Sequence, residues 1–436
     1  MALPSDREPR IRRALPAAVV DAAFNSLTTF SIGLFAARSL QPALLGAYAL
    51  AFSAYVLSTG VPQQLFFIPA EAVSAGQPAS RRLGLLPRSL WLGCPISLLP
   101  ALCIPLWTLA LGSPIPREVA LALSVTAVAA AFLSPIQDHV RRMLHQGQRS
   151  VQAATMSVIQ LSTAGVVIVV AQRMAVPVWW IPFGALAAGN FVSLLSALVL
   201  ARTELVAERG TVLRRRPIVA SGSWLLVSGM SQTAAAFATA TVVSRLAGAA
   251  ALGYAEAARI VGQPPLVALT GLSAVLGPRA VRAAREQSPV AARRVTRLFT
   301  GLVLCGGIPY LLLVGFTAPW NPVPRLVPHA YAVSGLVLAT VIANLLNAIA
   351  LPRQFELIGA RRTPRLAGAE ATANVLRVCT ATSARYLGPF AIPLSYSVLG
   401  IARALGYARA IASHYGGGPS AADTSEADPR PELGAS

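Results

Sequence analysis

The chain has 436 residues, of which 55% are hydrophobic and only 12% charged, with a mean hydropathy of +0.61. Soluble domains carry about 25% charged residues, so this composition excludes a chain that covers itself with a water-soluble surface. The formal net charge of +20 comes from 36 basic residues, all of them arginine; they sit in short connectors beside apolar stretches and form no basic patch interleaved with aromatics, which excludes nucleic acid as a partner.

Roughly 20 apolar residues suffice to cross a bilayer. Twelve such stretches are predicted, at 15–37, 44–67, 89–111, 119–135, 151–171, 178–200, 220–244, 250–277, 298–316, 330–351, 366–384 and 388–408. The first follows Arg10, Arg12 and Arg13 as a signal sequence would. It is too long for a cleaved apolar core and contains Asp21 and Asn25, so it is read as an uncleaved span. The eleventh is interrupted by Glu370, Asn374 and Arg377. The predicted fold class is an all-α polytopic membrane protein with two six-helix bundles. Its parts are a basic N-terminus (1–14), a first bundle (15–200), a basic linker (201–219), a second bundle (220–410) and a tail (411–436). The end of that tail is rich in Gly, Pro, Ser and acids, a composition that predicts disorder.

Arginine sets the orientation. Alternate connectors, with the termini, hold 28 arginines and the others hold six, while Arg259 and Arg377 lie inside spans. The positive-inside rule then puts both termini in the cytoplasm, in a cytoplasmic membrane whose anionic lipids the arginines would meet. The opposite connectors are too short to build an extracytoplasmic domain. Cys94, Cys103, Cys305 and Cys379 lie singly in apolar spans, and His139, His145, His329 and His414 are scattered. No metal site, disulfide framework or cofactor is expected from them.

The two halves repeat. Arg38 aligns with Arg245, Leu45 with Leu252 and Gly46 with Gly253, all at an offset of 207. Six spans separate equivalent points, so the halves would share one orientation about a pseudo-twofold axis along the membrane normal. The stretch ARSLQPALLGAYALAFSAY, with Leu45, Gly46 and Tyr48, resembles the junction of the first two helices in oligosaccharide flippases. These are the Wzx-type polysaccharide biosynthesis proteins of the MOP exporter superfamily. SRLAGAAALGYAEAARIVGQPP, with Leu252, Gly253, Tyr254 and Ala257, is similar to the start of that family's second half. RRMLHQGQRSVQAATMSVIQ, with Gly147 and Arg149, resembles its connector between helices four and five. The resemblance implies a central cavity lined by the first two helices of each half. It also implies a polyprenyl-diphosphate-linked oligosaccharide as substrate and, as associates, a glycan polymerase or glycosyltransferases.

Polar groups inside spans are expensive and face a cavity or a partner. Asp21 and Asn25 share a helix face, as do Glu256, Arg259 and Gln263, and as do Glu370, Asn374 and Arg377. The resemblance implies that Asp21, Asn25, Gln63, Gln64, Arg259 and Gln263 line the cavity, and with Glu256, Glu370, Asn374 and Arg377 these ten residues are the candidate cavity set. Two readings stand for the charged ones. Glu256 with Arg259, and Glu370 with Arg377, either neutralise each other within a helix or line the cavity. Asp21 is alternatively a cation site. Glu71 and Asp138 are expected to pair locally with connector arginines. The expected function is transport by alternating access, without enzyme activity. An ion-coupled drug or metabolite exporter is the alternative, and a membrane glycosyltransferase or polymerase a more distant one, because the outer connectors hold only Glu118 as a carboxylate.

Overall fold

A computed structural model describes residues 8–112, 114–202, 213, 215–316 and 320–415. Most of the tail, the first seven residues and most of the 203–214 linker lie outside the described residues. Helices account for nearly all the described chain, and no strand occurs in it. In the first half, α1 is Glu8–Ser39 and α2 is Pro42–Pro62, continued through a π-turn at Gln63–Phe67 into Ile68–Ala75. Then come α3 (Leu86–Leu102, followed by a 3₁₀ turn at Ile104–Ala110), α4 (Arg117–Gln146), α5 (Ser150–Arg173) and α6 (Ile181–Leu200). In the second half, α7 (215–247) meets α8 at Gly248, and α8 runs from 249 to Val261 and on through Pro264–Arg285. Completing the chain are α9 (Pro289–Gly315), α10 (Leu336–Gly359), α11 (Thr363–Ala381) and α12 (Ala391–Tyr415). The result is a multi-pass membrane protein with two six-helix lobes. Nine helical stretches among the described residues are long and apolar enough to span a bilayer. α1, the second part of α8 and α11 are not among them; each carries three or more charged residues.

Helix starts follow local chemistry. Proline opens α2, α9 and α11, where its missing N–H is one the first turn leaves free anyway. Ser288 adds a side-chain cap to α9 by accepting from Ala291 N–H at 3.3 Å. The reversal between α7 and α8 has no loop. Gly248 makes it alone at φ +85°, a conformation that a side chain strongly disfavours.

The predicted continuous span 250–277 is broken. Pro264 and Pro265 cannot donate to the carbonyls four residues back, so the rod opens at Gly262–Gln263. The freed carbonyls find partners on neighbouring helices: Tyr310 OH donates to Val261 O, and Asn344 Nδ2 donates to Gly262 O at 3.0 Å. A buried backbone group left bare in lipid would cost several kcal/mol. Gln263 therefore sits at a hinge.

The lobes pack through small residues, as helices do in lipid, where apolar surface alone gives no driving force. Gly46 lies against the backbone at Ala249, and Gly253 lies against the backbone at Pro42. The two contacts exchange under the offset of 207. A reciprocal contact of this kind is what a twofold axis produces. Buried Leu45, Tyr48, Leu252, Ala257 and Tyr331 join both lobes into one apolar core at this end. Large apolar residues such as Trp91, Leu99 and Leu109 face outward, as a lipid-exposed surface requires.

Candidate functional site

Between the lobes lies a cavity of about 200 Å³, lined by α2, α7, α8, α11 and α12. Phe52 and Ser53 contribute from the first lobe, and Glu256, Arg259, Arg377 and Tyr396 from the second. Arg259 holds Glu256 in a two-pronged pair, Nε to Oε2 at 2.7 Å and Nη2 to Oε1 at 2.6 Å. That pair is electrically neutral. Arg377 is different. It is 1% exposed and forms no hydrogen bond or ion pair with a described residue. Its guanidinium stacks 4.0 Å from the centre of the Tyr396 ring. A cation–π contact supplies roughly 2 kcal/mol when desolvated, while an uncompensated buried ion costs several kcal/mol. The cation is therefore under-compensated, and the space beside it is the cavity. One turn earlier, buried Asn374 leaves both its amide nitrogen and its amide oxygen without partners among the described residues.

Of the ten candidates, Glu256, Arg259 and Arg377 line the cavity, and Asn374 abuts Arg377 along α11. The predicted pairing of Glu370 with Arg377 is corrected. Glu370 Oε2 accepts from Arg403 at 2.7 and 3.1 Å, and Tyr407 OH donates to Glu370 Oε1, which fastens α11 to α12. Gln263 is at the α8 hinge, outside the cavity lining. Asn25 and Gln64 also fall outside it, Gln64 lying against Gly229 of α7.

Asp21 and Gln63 are corrected likewise, since both are committed inside the first lobe. Asp21 Oδ2 bonds His145 Nε2 at 2.9 Å, Asp21 Oδ1 accepts from Ser157 at 2.5 Å, and Arg141 lies 3.8 Å away. Gln63 donates to Asp138 at 2.9 Å, and Asp138 is paired to Arg141 at 2.7 Å. Glu71 meets Arg142 at 3.6 Å and His139 at 2.9 Å, and Ser89 completes that chain at 2.8 Å from His139. The order Glu–His–Ser has the bonding pattern of a hydrolytic triad. All three groups are buried and line none of the cavities described, so the network joins α2, α3 and α4. Phe52, Ser53 and Tyr396 carry no sequence signal of the site, because aromatic and hydroxyl residues recur throughout the spans.

At the arginine-poor end the lobes are pinned. Arg38 donates to Arg325 O and, at 3.3 Å, to Leu326 O; Tyr331 OH donates to Leu40 O. From the other lobe Arg245 donates to Leu109 O, and Ser244 Oγ accepts from Gly112 N–H at 3.3 Å.

No protein-family profile matches this sequence, and no curated protein sequence matches it either. Solved structures match its fold. The inward-facing form of a multidrug resistance MATE family transporter of the MOP superfamily is 15% identical, with a TM-score of 0.68 over 91% of this chain and 98% of that one. An outward-facing MATE form gives a TM-score of 0.63 at 14% identity, over 93% of this chain and 96% of that one. The lipid II flippase MurJ in an inward closed conformation gives 0.64 at 14% identity, over 90% and 87%. The fold is thus the two-lobed architecture of the MATE and MurJ proteins.

Proposed function

We propose that this chain moves a polyprenyl-diphosphate-linked oligosaccharide across the cytoplasmic membrane by alternating access, with its arginine-rich end in the cytoplasm. The observation that carries this reading is the charge of the cavity. Glu256 cancels Arg259, and Arg377 has no counter-ion among the described residues, so the lining is net positive. A diphosphate supplies the missing anion, and a planar guanidinium binds it through paired charge-assisted hydrogen bonds. Asn374 has unspent amide groups for phosphate or sugar hydroxyls. A cationic drug would instead meet repulsion from Arg377, which disfavours the drug-exporter alternative.

The transport problem is desolvation. A sugar-diphosphate headgroup cannot enter hydrocarbon, because stripping its water without compensation costs far more than thermal energy. A polar cleft between lobes removes most of that cost while the lipid tail stays in the bilayer. The cavity of about 200 Å³ is below the roughly 300–1,000 Å³ of pockets that hold drug-sized ligands. On this reading the lobes part further to admit the sugars. The Arg38 and Arg245 contacts hold the far side shut meanwhile.

The test is genetic and chemical. Loss of this protein is expected to leave lipid-linked glycan precursor on the cytoplasmic leaflet, and Arg377→Gln to reproduce the effect with the protein inserted at normal abundance. Normal surface glycan and no precursor build-up in the deletion strain would overturn the reading.

A further inference from the structure

A second charged cavity lies in the second lobe and shares no residue with the central one. It measures about 580 Å³ and sits between α9, α10 and α12 at the arginine-rich end. Arg293 and Arg297 enter it from α9, Arg353 and Glu356 from α10, and Ala412 and Tyr415 from α12. We propose that this cavity binds the phosphate of an acidic glycerophospholipid.

Three arginines face one carboxylate here, leaving two positive charges in excess. Arg293 and Arg297 are four residues apart, hence on one face of α9. Neither makes a hydrogen bond or ion pair with a described residue. Arg353 commits one N–H to Ala404 O at 3.1 Å and keeps the rest of its fork. Glu356 is 5% exposed and attracts Arg353 and Arg293 from beyond ion-pair distance, so its one charge is shared between them. Unspent guanidinium forks around a polar hollow match the oxygens of a phosphate monoanion.

Depth points to a membrane lipid as the source of that phosphate. Arg293 lies in the first turns of α9, which starts at Pro289, and Tyr415 ends α12. These are helix-end positions on the arginine-rich side, the level at which headgroups lie. Above them α9 is the least buried of the membrane-spanning stretches, with 22% of its apolar window inside the protein. On the face of Arg293 and Arg297, Gly301 opens onto free space and Ile308 stays 46% exposed. An acyl chain lying along that face carries its phosphate to the two arginines.

The experiment uses the full chain in nanodiscs of phosphatidylcholine containing a few per cent phosphatidylglycerol, with retained lipid read by native mass spectrometry. Wild type is expected to enrich phosphatidylglycerol. The triple variant Arg293→Gln, Arg297→Gln, Arg353→Gln is expected to lose that enrichment, at roughly fivefold per arginine. The triple variant Arg279→Gln, Arg282→Gln, Arg285→Gln makes the same charge change on α8 and is expected to keep it. Ala412→Trp fills the hollow while leaving every arginine, and is expected to abolish enrichment; it decides the matter if the first variant does not fold. Equal enrichment in both triple variants, or full enrichment in Ala412→Trp, overturns the proposal. Displacement of the lipid by millimolar inorganic phosphate also overturns it, because the ligand would then be soluble.

Discussion

Gly46 of α2 and Gly253 of α8 stand back to back across the axis relating the two lobes. Each occupies the space beside the backbone that opens the other's helix: Ala249 for Gly46, Pro42 for Gly253. A Cβ at either position would overlap a carbonyl oxygen, and backbone cannot yield as a flexible side chain can. Overpacking usually costs about 1–3 kcal/mol, and here only the state with the lobes closed at this end bears the cost. Gly46→Val and Gly253→Val are each expected to shift the protein toward an open arginine-poor end by about tenfold or more. A single cysteine replacing cavity-lining Thr239, in a background lacking the four native cysteines, reports this through its labelling by a membrane-impermeant thiol reagent from that side. Labelling as slow as in the parent would show that the glycine contact does not govern closure.

The arginine clasps obey the same symmetry. Arg38 and Arg245 end the first helix of their respective lobes, and each donates to backbone carbonyls in the other lobe. Hydrogen bonds to charged groups are worth about 1.5–3 kcal/mol, and these arginines are exposed, so water and salt reduce that figure. Each alanine variant is expected to raise the open fraction a few-fold, with the double variant close to the product of the singles. Spin labels at exposed Ala43 and Ala332, one on each lobe, read the change as a longer distance population. A double variant no more open than either single one would mean that one clasp carries the whole seal.

Glu370 presents a stability test. It receives two hydrogen bonds from Arg403 and one from Tyr407, and Arg403 is 7% exposed. Breaking one partner of a buried pair typically costs about 3–5 kcal/mol, because the surviving charge is stranded. Glu370→Gln keeps the shape but removes the charge, and is expected to lower the melting temperature of the detergent-solubilised protein by several degrees. The joint variant Glu370→Gln with Arg403→Met is expected to regain most of the loss. Failure of the second change to rescue the first would remove the pair from the account of how α11 and α12 are held.

Much of this architecture is written in the order of residues. Apolar run length locates the helices, and the spacing of Arg38 from Arg245 and Gly46 from Gly253 marks the two lobes. The break in α8 was hidden because Pro264 and Pro265 are as apolar as their neighbours. Hydropathy does not register a lost N–H, and the partners that repair the loss, Tyr310 and Asn344, belong to other helices. The cavity lining was harder still to read. Helical spacing shows which polar groups share a face but not what that face meets. Asp21 meets His145, 124 positions away, and Glu370 meets Arg403, 33 positions away. Both acids are thereby occupied, whereas Arg377 on the face of Glu370 finds no acid among the described residues and rests on the Tyr396 ring.

On the proposed function, that difference separates a binding residue from a structural one. If Arg377 served the fold, its removal would weaken the protein. Its surroundings predict the reverse: Arg377→Gln deletes an uncompensated buried charge and loses only a cation–π contact of roughly 2 kcal/mol. The variant is expected to melt within a degree or two of wild type, or above it, and yet to lose transport of the proposed anionic substrate. Arg377→Lys keeps the charge but not the planar fork, so partial transport, on the order of a tenth, is the expected middle result. Melting curves and glycan export measured on the same variants test both halves together. A strongly destabilised Arg377→Gln, or one that exports normally, would place Arg377 in the scaffold and leave the cavity without its anion-binding group.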